Sequence, residues 1–347
     1  MISFECDYCN GASEKILNAI TTTNYLQTLT YGEDKFSLSA KQKIKSACGK
    51  DNLQIYFLVG GTQTNATIID YVLKSYQGVI TAKTGHINVH ESGAIEATGH
   101  KVIELESHYG KLSEEDLESY LKNFYADETY PHMVQPGMVY ITFPTELGTI
   151  YTLKELRNIS SVCKNFHLPL YLDGARLGYG IMAEGNDVSL KDICNLCDVF
   201  YIGGTKIGAL FGEAVVFTHN NSDSNFFTVQ KQHGAVMAKG RFLGLQFDTL
   251  FTDNLYFNLS QHAIQASIKL KEVFRNQNLK FFTDSPTNQQ FVILPNTLMH
   301  YLEKDFLFSH IQPYDINSTV CRFVTSWSTK DNDIILLKNR MHEYFAN

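Results

Sequence analysis

A chain of 347 residues, 44% hydrophobic and 19% charged, is long enough for a large core plus a smaller one and has the balance of a globular protein. Its net charge of −7, with Lys and Arg scattered along the chain, argues against nucleic acid as a partner, because phosphate neutralisation needs clustered cations. No apolar run reaches the roughly 18 to 20 residues that span a bilayer, and no export signal opens the chain, so a cytoplasmic protein acting on small molecules is expected.

Residues 1–24 read as a leading arm and helix, followed by a polar turn at Tyr31-Gly32-Glu33-Asp34 and an amphipathic helix from Ser39 to Cys48. Leu53 to Val59 is a β-rich run that breaks at Gly60-Gly61-Thr62-Gln63 before the helical spacing of Ile68, Ile69, Val72 and Leu73. Backbone N–H groups at such a helix start are free and backed by the helix dipole, so Gly61 and Thr62 are candidate phosphate ligands. A plain strand-to-helix turn is written with the same residues. The chain has neither G-x-G-x-x-G nor G-x-x-x-x-G-K-[ST] here, which argues against a dinucleotide site or a P-loop.

Val79 to Ala82 is a short strand that delivers His86, and Lys101 to Leu105 is another. Ser113 with Asp116 caps a helix through Phe124. Met138 to Phe143 is a strand ending at Pro144-Thr145-Glu146, and Thr152 with Glu155 caps the helix that leads to His167. The apolar run Leu168 to Leu172 then enters Asp173-Gly174-Ala175-Arg176, and Val199 to Ile202 opens into Gly203-Gly204-Thr205-Lys206. Strand alternating with helix through residue 217 is the pattern of a mostly parallel, doubly covered sheet, here in a large domain over 25–252. Such sheets hold ligands at their carboxyl edge.

Beyond Phe217 the periodicity changes. Gln230 to Phe251 and Leu255 to Asn278 read as two long helices. Lys231 and Lys239 on the first are candidate cations for a phosphate, or part of a solvated face. Short strands at 280–284, 291–295, 310–313 and 320–325, with a last helix from Asp331 to Phe345, make a smaller α+β domain over 253–347. Arg322 sits inside the last of these strands, flanked by Val320, Phe323 and Val324. A guanidinium there needs an anionic partner, most simply a carboxylate. The seven cysteines are an odd number and read as reduced thiols. Cys6-x-x-Cys9 and Cys194-x-x-Cys197 imitate half zinc sites but lie far apart in sequence, so no metal is expected.

Assembled, these residues are a phosphate cradle at Gly61 and Thr62, a ring-sized group at His86, an acid at Asp173, an amine at Lys206, and arginines at Arg176 and Arg322. Pyridoxal 5'-phosphate asks for this set: an amine to bond its aldehyde, an acid on its ring nitrogen, a phosphate site and a stacking ring.

On these motifs the chain resembles the threonine aldolase branch of the fold-type I pyridoxal-phosphate enzymes, the branch grouped with β-eliminating lyases. Asp173-Gly174-Ala175-Arg176-Leu177 stands where that family has D-G-A-R-[LI], and Thr205 to Ala209 resembles its lysine segment. His86-Ile87-x-x-x-Glu91-x-Gly93 matches the stacking histidine, Arg322 to Thr325 the strand that binds the substrate carboxylate, and Tyr31 to Asp34 the Y-G-D-D turn. Three positions depart from the pattern. Cys6 replaces the serine of an S-D motif near the substrate, Glu146 replaces a histidine facing the substrate hydroxyl, and His233 to Met237 replaces a glycine-rich stretch. The resemblance implies cleavage of β-hydroxy-α-amino acids such as threonine or allo-threonine to glycine and an aldehyde. Lys206, Asp173, His86 and Glu146 would be the catalytic residues, with Cys6, Arg176 and Arg322 around the substrate and Arg176, Lys231 and Lys239 among the cofactor ligands. It also implies a homodimer or homotetramer with shared active sites. A β-eliminating lyase on the same scaffold, or a non-catalytic binding protein that keeps the fold, are the alternatives.

Overall fold

The computed structural model describes residues 1–219, 221–222 and 225–346. Along the chain, β1 (Ile2–Ser3) precedes the main-sheet strands β2 (Gln54–Leu58), β3 (Gln77–Ala82), β4 (Lys101–Leu105), β5 (Gln135–Thr142), β6 (Leu170–Asp173), β7 (Val199–Gly203) and β8 (Glu213–Phe217). These seven lie in the order β2-β8-β7-β6-β5-β3-β4. The neighbours from β4 to β7 pair in parallel. By contrast, β8 runs antiparallel to both β2 and β7.

The sheet is covered on both faces, and the sequence shows why. Along a strand successive side chains point to opposite faces, yet β6, β7 and β8 are buried at every position, as strands sandwiched between helices must be. Leu170, Leu172, Phe200, Ile202, Ala214 and Val216 pack into one core. Their alternates Tyr171, Val199, Tyr201, Val215 and Phe217 pack into another on the opposite face.

A smaller unit follows, with β9 (Phe281–Thr283), β10 (Gln289–Pro295), β11 (Phe306–Leu307), β12 (Ser309–Pro313) and β13 (Ser318–Val324). Four of these form an antiparallel sheet in the order β12-β13-β10-β9, while β11 pairs in parallel with β1. The leading arm is thus divided between the two units. Phe4 is buried with Phe306 and Phe323 of the smaller core, and Ala12 and Ile16 join the main one. The long helix Leu255–Arg275 also serves both, through Tyr256 and Ala263 on one side and Leu270 and Phe274 on the other.

One expected element differs. The single helix read over 230–251 is two, Phe226–Gln232 and Arg241–Leu250. Gly234 takes φ +67° and stops the first. Gly240 starts the second against the Tyr31-Gly32 backbone, where a Cβ would lie 2.6 Å from Gly32 N. Lys231 and Lys239 therefore flank a break instead of sharing one helix face.

Because β2, β3, β5, β6 and β7 point the same way, they all end at one edge, and the reversed β8 begins there. The positions after five strands and the first position of a sixth converge on that edge.

Candidate active site

A cavity of about 410 Å³ opens at the carboxyl edge, lined by Gly61 after β2, His86 after β3, Glu146 after β5, Asp173 at the end of β6, Lys206 after β7 and Glu213 at the start of β8. The helix Gly61–Val72 begins with its axis end at this cavity. Its first-turn amides have no intrahelical partner, and the space beside Gly60 is open to 4 Å. Thr62 lines the same end.

Asp173 is 4% exposed and held on all sides. Its Oδ2 accepts the Tyr140 hydroxyl at 2.6 Å and the Asn65 amide at 3.0 Å, and its Oδ1 accepts the Ala175 N–H at 2.9 Å. Asn65 is itself fixed by the Tyr171 hydroxyl at 2.6 Å and by Glu91 at 2.7 Å. Burial works against the charged form, but the positive charge at His86 and the Tyr140, Tyr201 and Ala175 donors outweigh it, so the carboxyl stays below its usual range.

Lys206 sits on the turn that follows β7, where the Tyr179 hydroxyl donates to its carbonyl at 2.6 Å. Desolvation and the neighbouring Arg176 charge lower its pKa, with Asp7, Asp173 and Glu213 opposing. The amine is thereby moved toward the free base that nucleophilic chemistry requires.

His86 and Glu146 are joined. The His86 N–H donates to Glu146 Oε1 at 3.0 Å, and Thr142 Oγ1 donates to Oε2 at 3.1 Å. The imidazole Nδ1 meets Glu91 Oε1 at 2.7 Å. Burial opposes a charged ring, yet the Glu91 hydrogen bond and the Asp173 charge raise the His86 pKa overall. Glu146 moves the other way from an ordinary carboxylate: desolvation pushes it up to about 7, into the range where one side chain both takes and gives a proton near neutral pH.

Arg176 lines the cavity, but two of its donors are engaged. Nε and Nη2 reach the two oxygens of Asp7 at 2.7 and 3.0 Å, and Asn288 donates to the same carboxylate at 2.9 Å. Arg322 lies in β13, within electrostatic reach of Arg176, Asp7, Tyr8 and Cys6. Its Nη2 donates to Ser309 Oγ at 3.2 Å. Its buried Nε has no hydrogen-bond partner, and among the described residues no carboxylate pairs with it.

Arg322 and the remaining sequence candidates lie outside the cavity wall. Cys6 is half-buried with its Sγ 3.2 Å from that of Cys9; Tyr8, two residues on, is the residue that enters, its ring 5.9 Å from Lys206 Nζ. Lys231 and Lys239 are both exposed, with Lys231 lying over the Tyr31 ring at 5.0 Å. Asp7, Asn65, Tyr8 and Glu213 were not singled out by sequence reasoning. Only Asp7 carried a usable signal, since Arg176 in an apolar setting needs an anion.

The residues suit pyridoxal phosphate on their own chemistry. A helix start with free amides, an ionised acid buried beneath, an amine of lowered pKa and an imidazole share one cavity.

Comparison with known proteins agrees. The family model described as Beta-eliminating lyase matches residues 6–295. A low specificity L-threonine aldolase of Pseudomonas sp. is 28% identical, over 94% of this chain and 93% of that one. The solved structure of Leishmania major threonine aldolase superposes with a TM-score of 0.94 at 38% identity, covering 98% of this chain and 99% of that one. Serine palmitoyltransferase of Sphingomonas wittichii shares the fold, with a TM-score of 0.71 at 13% identity over 98% and 85% of the two chains.

Proposed function

Because this chain belongs to the β-eliminating lyase family, whose fold-type I members use pyridoxal phosphate, we propose that it is an aldehyde-lyase of the threonine aldolase kind. Its reaction is cleavage of a β-hydroxy-α-amino acid, threonine or allo-threonine, to glycine and acetaldehyde. The observation that carries this reading is Glu146, a carboxylate with a pKa near 7 that shares one cavity with Lys206, Asp173 and His86.

The bound cofactor supplies an electron-accepting ring for the pair released from the Cα–Cβ bond. Lys206 would hold it by its amine, the backbone amides at Gly61 and Thr62 would take its phosphate, and His86 would lie against its ring. Asp173 would keep a proton at the ring nitrogen, which its fixed negative charge favours. Arg322 would take the substrate carboxylate through its guanidinium, beside Arg176, whose pair with Asp7 keeps its fork oriented. Glu146, in its ionised form, takes the proton from the β-hydroxyl as the bond breaks. Tyr8 covers Lys206 from the open side and limits water there.

A homodimer or homotetramer completes this picture. Lys231 and Lys239, exposed and away from their own cavity, are then available to the phosphate end of a second copy. The division into an arm over 1–24, a cofactor domain over 25–252 and a small domain over 253–347 belongs to the same reading. So does a cytoplasmic location, to which free thiols at all seven cysteines are suited.

Product analysis tests the reaction. Threonine incubated with the cofactor-loaded protein should yield glycine and acetaldehyde in equal amounts. Release of ammonia and a 2-oxo acid instead would assign β-elimination, and binding of the cofactor with neither product would assign a non-catalytic role.

A further inference from the structure

Glu213 has no part in the reaction above, yet it is 4% exposed and lines the same cavity. It is there because β8 is reversed. In a strand parallel to the rest, the first residue would lie at the far edge; in β8 it meets the ends of its neighbours, Gly203 of β7 and Leu58 of β2. Both oxygens of Glu213 are spent on the turn that carries Lys206. Oε2 accepts the Gly204 N–H at 3.1 Å, and Oε1 accepts the Thr205 hydroxyl at 2.8 Å. The Thr205 hydroxyl in turn accepts the Gly212 N–H at 3.0 Å, closing a ring of hydrogen bonds around the residue before the lysine.

A neutral amide would make this clamp without the cost of burying a charge. The carboxylate therefore has a further consequence. The ionisable groups that face it are Lys206, whose pKa it raises, Asp173, whose like charge disfavours its own ionisation, and the phenols of Tyr171, Tyr201 and Tyr256, whose pKa it raises. Arg176 and Asp7 act on the same amine with opposite signs. Burial lifts Glu213 itself to about 8, against the pull of Thr205, Lys206 and Gly204.

We propose that Glu213 is a positioning residue for Lys206: it holds the Gly204-Thr205 turn through both oxygens and contributes negative charge on the side of the turn that carries the lysine. The inference rests on Lys206 being the lysine that bonds the cofactor, and the test separates the two.

Full-length protein stripped of cofactor is given pyridoxal 5'-phosphate between pH 6 and 10. Capture is followed by visible absorbance, and borohydride trapping with peptide mass identifies the lysine. In Glu213→Gln the carboxamide oxygen still accepts the Gly204 N–H and its NH2 donates to Thr205 Oγ1. The maximum capture rate should then stay close to wild type while the pH midpoint falls. In Glu213→Ala the midpoint should fall likewise and the maximum rate drop by at least about tenfold, because the turn is no longer held. A midpoint that does not move in Glu213→Gln overturns the proposal, whether or not the Ala variant folds. Equal slowing of both variants with no shift would leave Glu213 a structural residue only and also overturns it. Trapping at a lysine other than Lys206 in the wild type would instead remove the assignment of Lys206.

Discussion

On the floor of the cavity both oxygens of Asp173 are occupied by donors from Tyr140, Asn65 and Ala175, whereas beyond the rim that Arg176 forms, the buried Nε of Arg322 has no partner. Both are charged groups set among apolar strand residues, and unpaired burial is costly for either. The difference separates a resident from a visitor. A carboxylate saturated by the protein is orientated in advance for a group that stays, while a guanidinium with an open donor is matched to an anion that comes and goes with turnover. The rim is also assembled from more distant pieces, since Asp7 and Arg176 pair across 169 residues of sequence, while on the floor Asn65 and Tyr140 reach Asp173 across 108 and 33.

The largest effect belongs to the lysine between floor and rim. Lys206→Ala should purify folded, without the visible absorbance of lysine-bound cofactor, and show no measurable turnover; activity together with borohydride-trapped cofactor would remove Lys206 from the account.

Breaking the rim at its internal pair should act on stability. Asp7 is fully buried at its side chain and Arg176 is 15% exposed at its own, so Asp7→Ala leaves an uncompensated charge and should cost about 3–5 kcal/mol in chemical denaturation. A loss below about 1 kcal/mol would class the pair with exposed ion pairs.

Arg322→Lys sharpens the contrast from the other side. A point charge cannot reproduce the planar fork, so the KM for threonine should rise about tenfold or more with little change in stability. An unchanged KM would mean that the Arg322 guanidinium is not where the substrate carboxylate binds.

The pH dependence is the gentlest probe. Glu146 has a pKa of about 7 against an ordinary 4.5, and its base form is the one that takes a proton. Cleavage should therefore rise with pH through about 7 and then level off. The sign for stability is opposite. A carboxyl with a raised folded pKa contributes least where it is ionised, so its share is present below about 4.5 and lost as pH rises to about 7. Glu146→Gln should abolish both slopes, and a cleavage profile that keeps its limb would point to another base.

Much of the floor was legible in the chain because local patterns carry it. Apolar runs of four or five residues broken by glycine mark strands that end in Asp173 and before Lys206, and the capping box at Thr152 and Glu155 is written in four residues. The alternation of strand and helix also carries the seven-stranded sheet. The rest depends on what pairs with what across the chain. Nothing near Glu213 states that β8 is reversed, so nothing in the sequence brings its first residue to the cavity. The Asp7–Arg176 pair joins the leading arm to the middle of the chain, and the junction of β1 with β11 joins its two ends. Lys231 and Lys239 read as one helix because the spacing is helical on both sides of Gly234, where the Ala235 N–H bond to the Gln230 carbonyl closes the first helix.

Cleavage with Glu146 as the hydroxyl base is the central claim, and the most direct test compares two reactions of one variant. Removing the β-hydroxyl proton is needed to split threonine but not to exchange the Cα proton of glycine. In Glu146→Gln, acetaldehyde release from threonine should slow by about 10² to 10⁴, while exchange of the glycine Cα proton with deuterated water, followed by NMR, stays near the wild-type rate. Loss of both rates together, or of neither, would contradict the account.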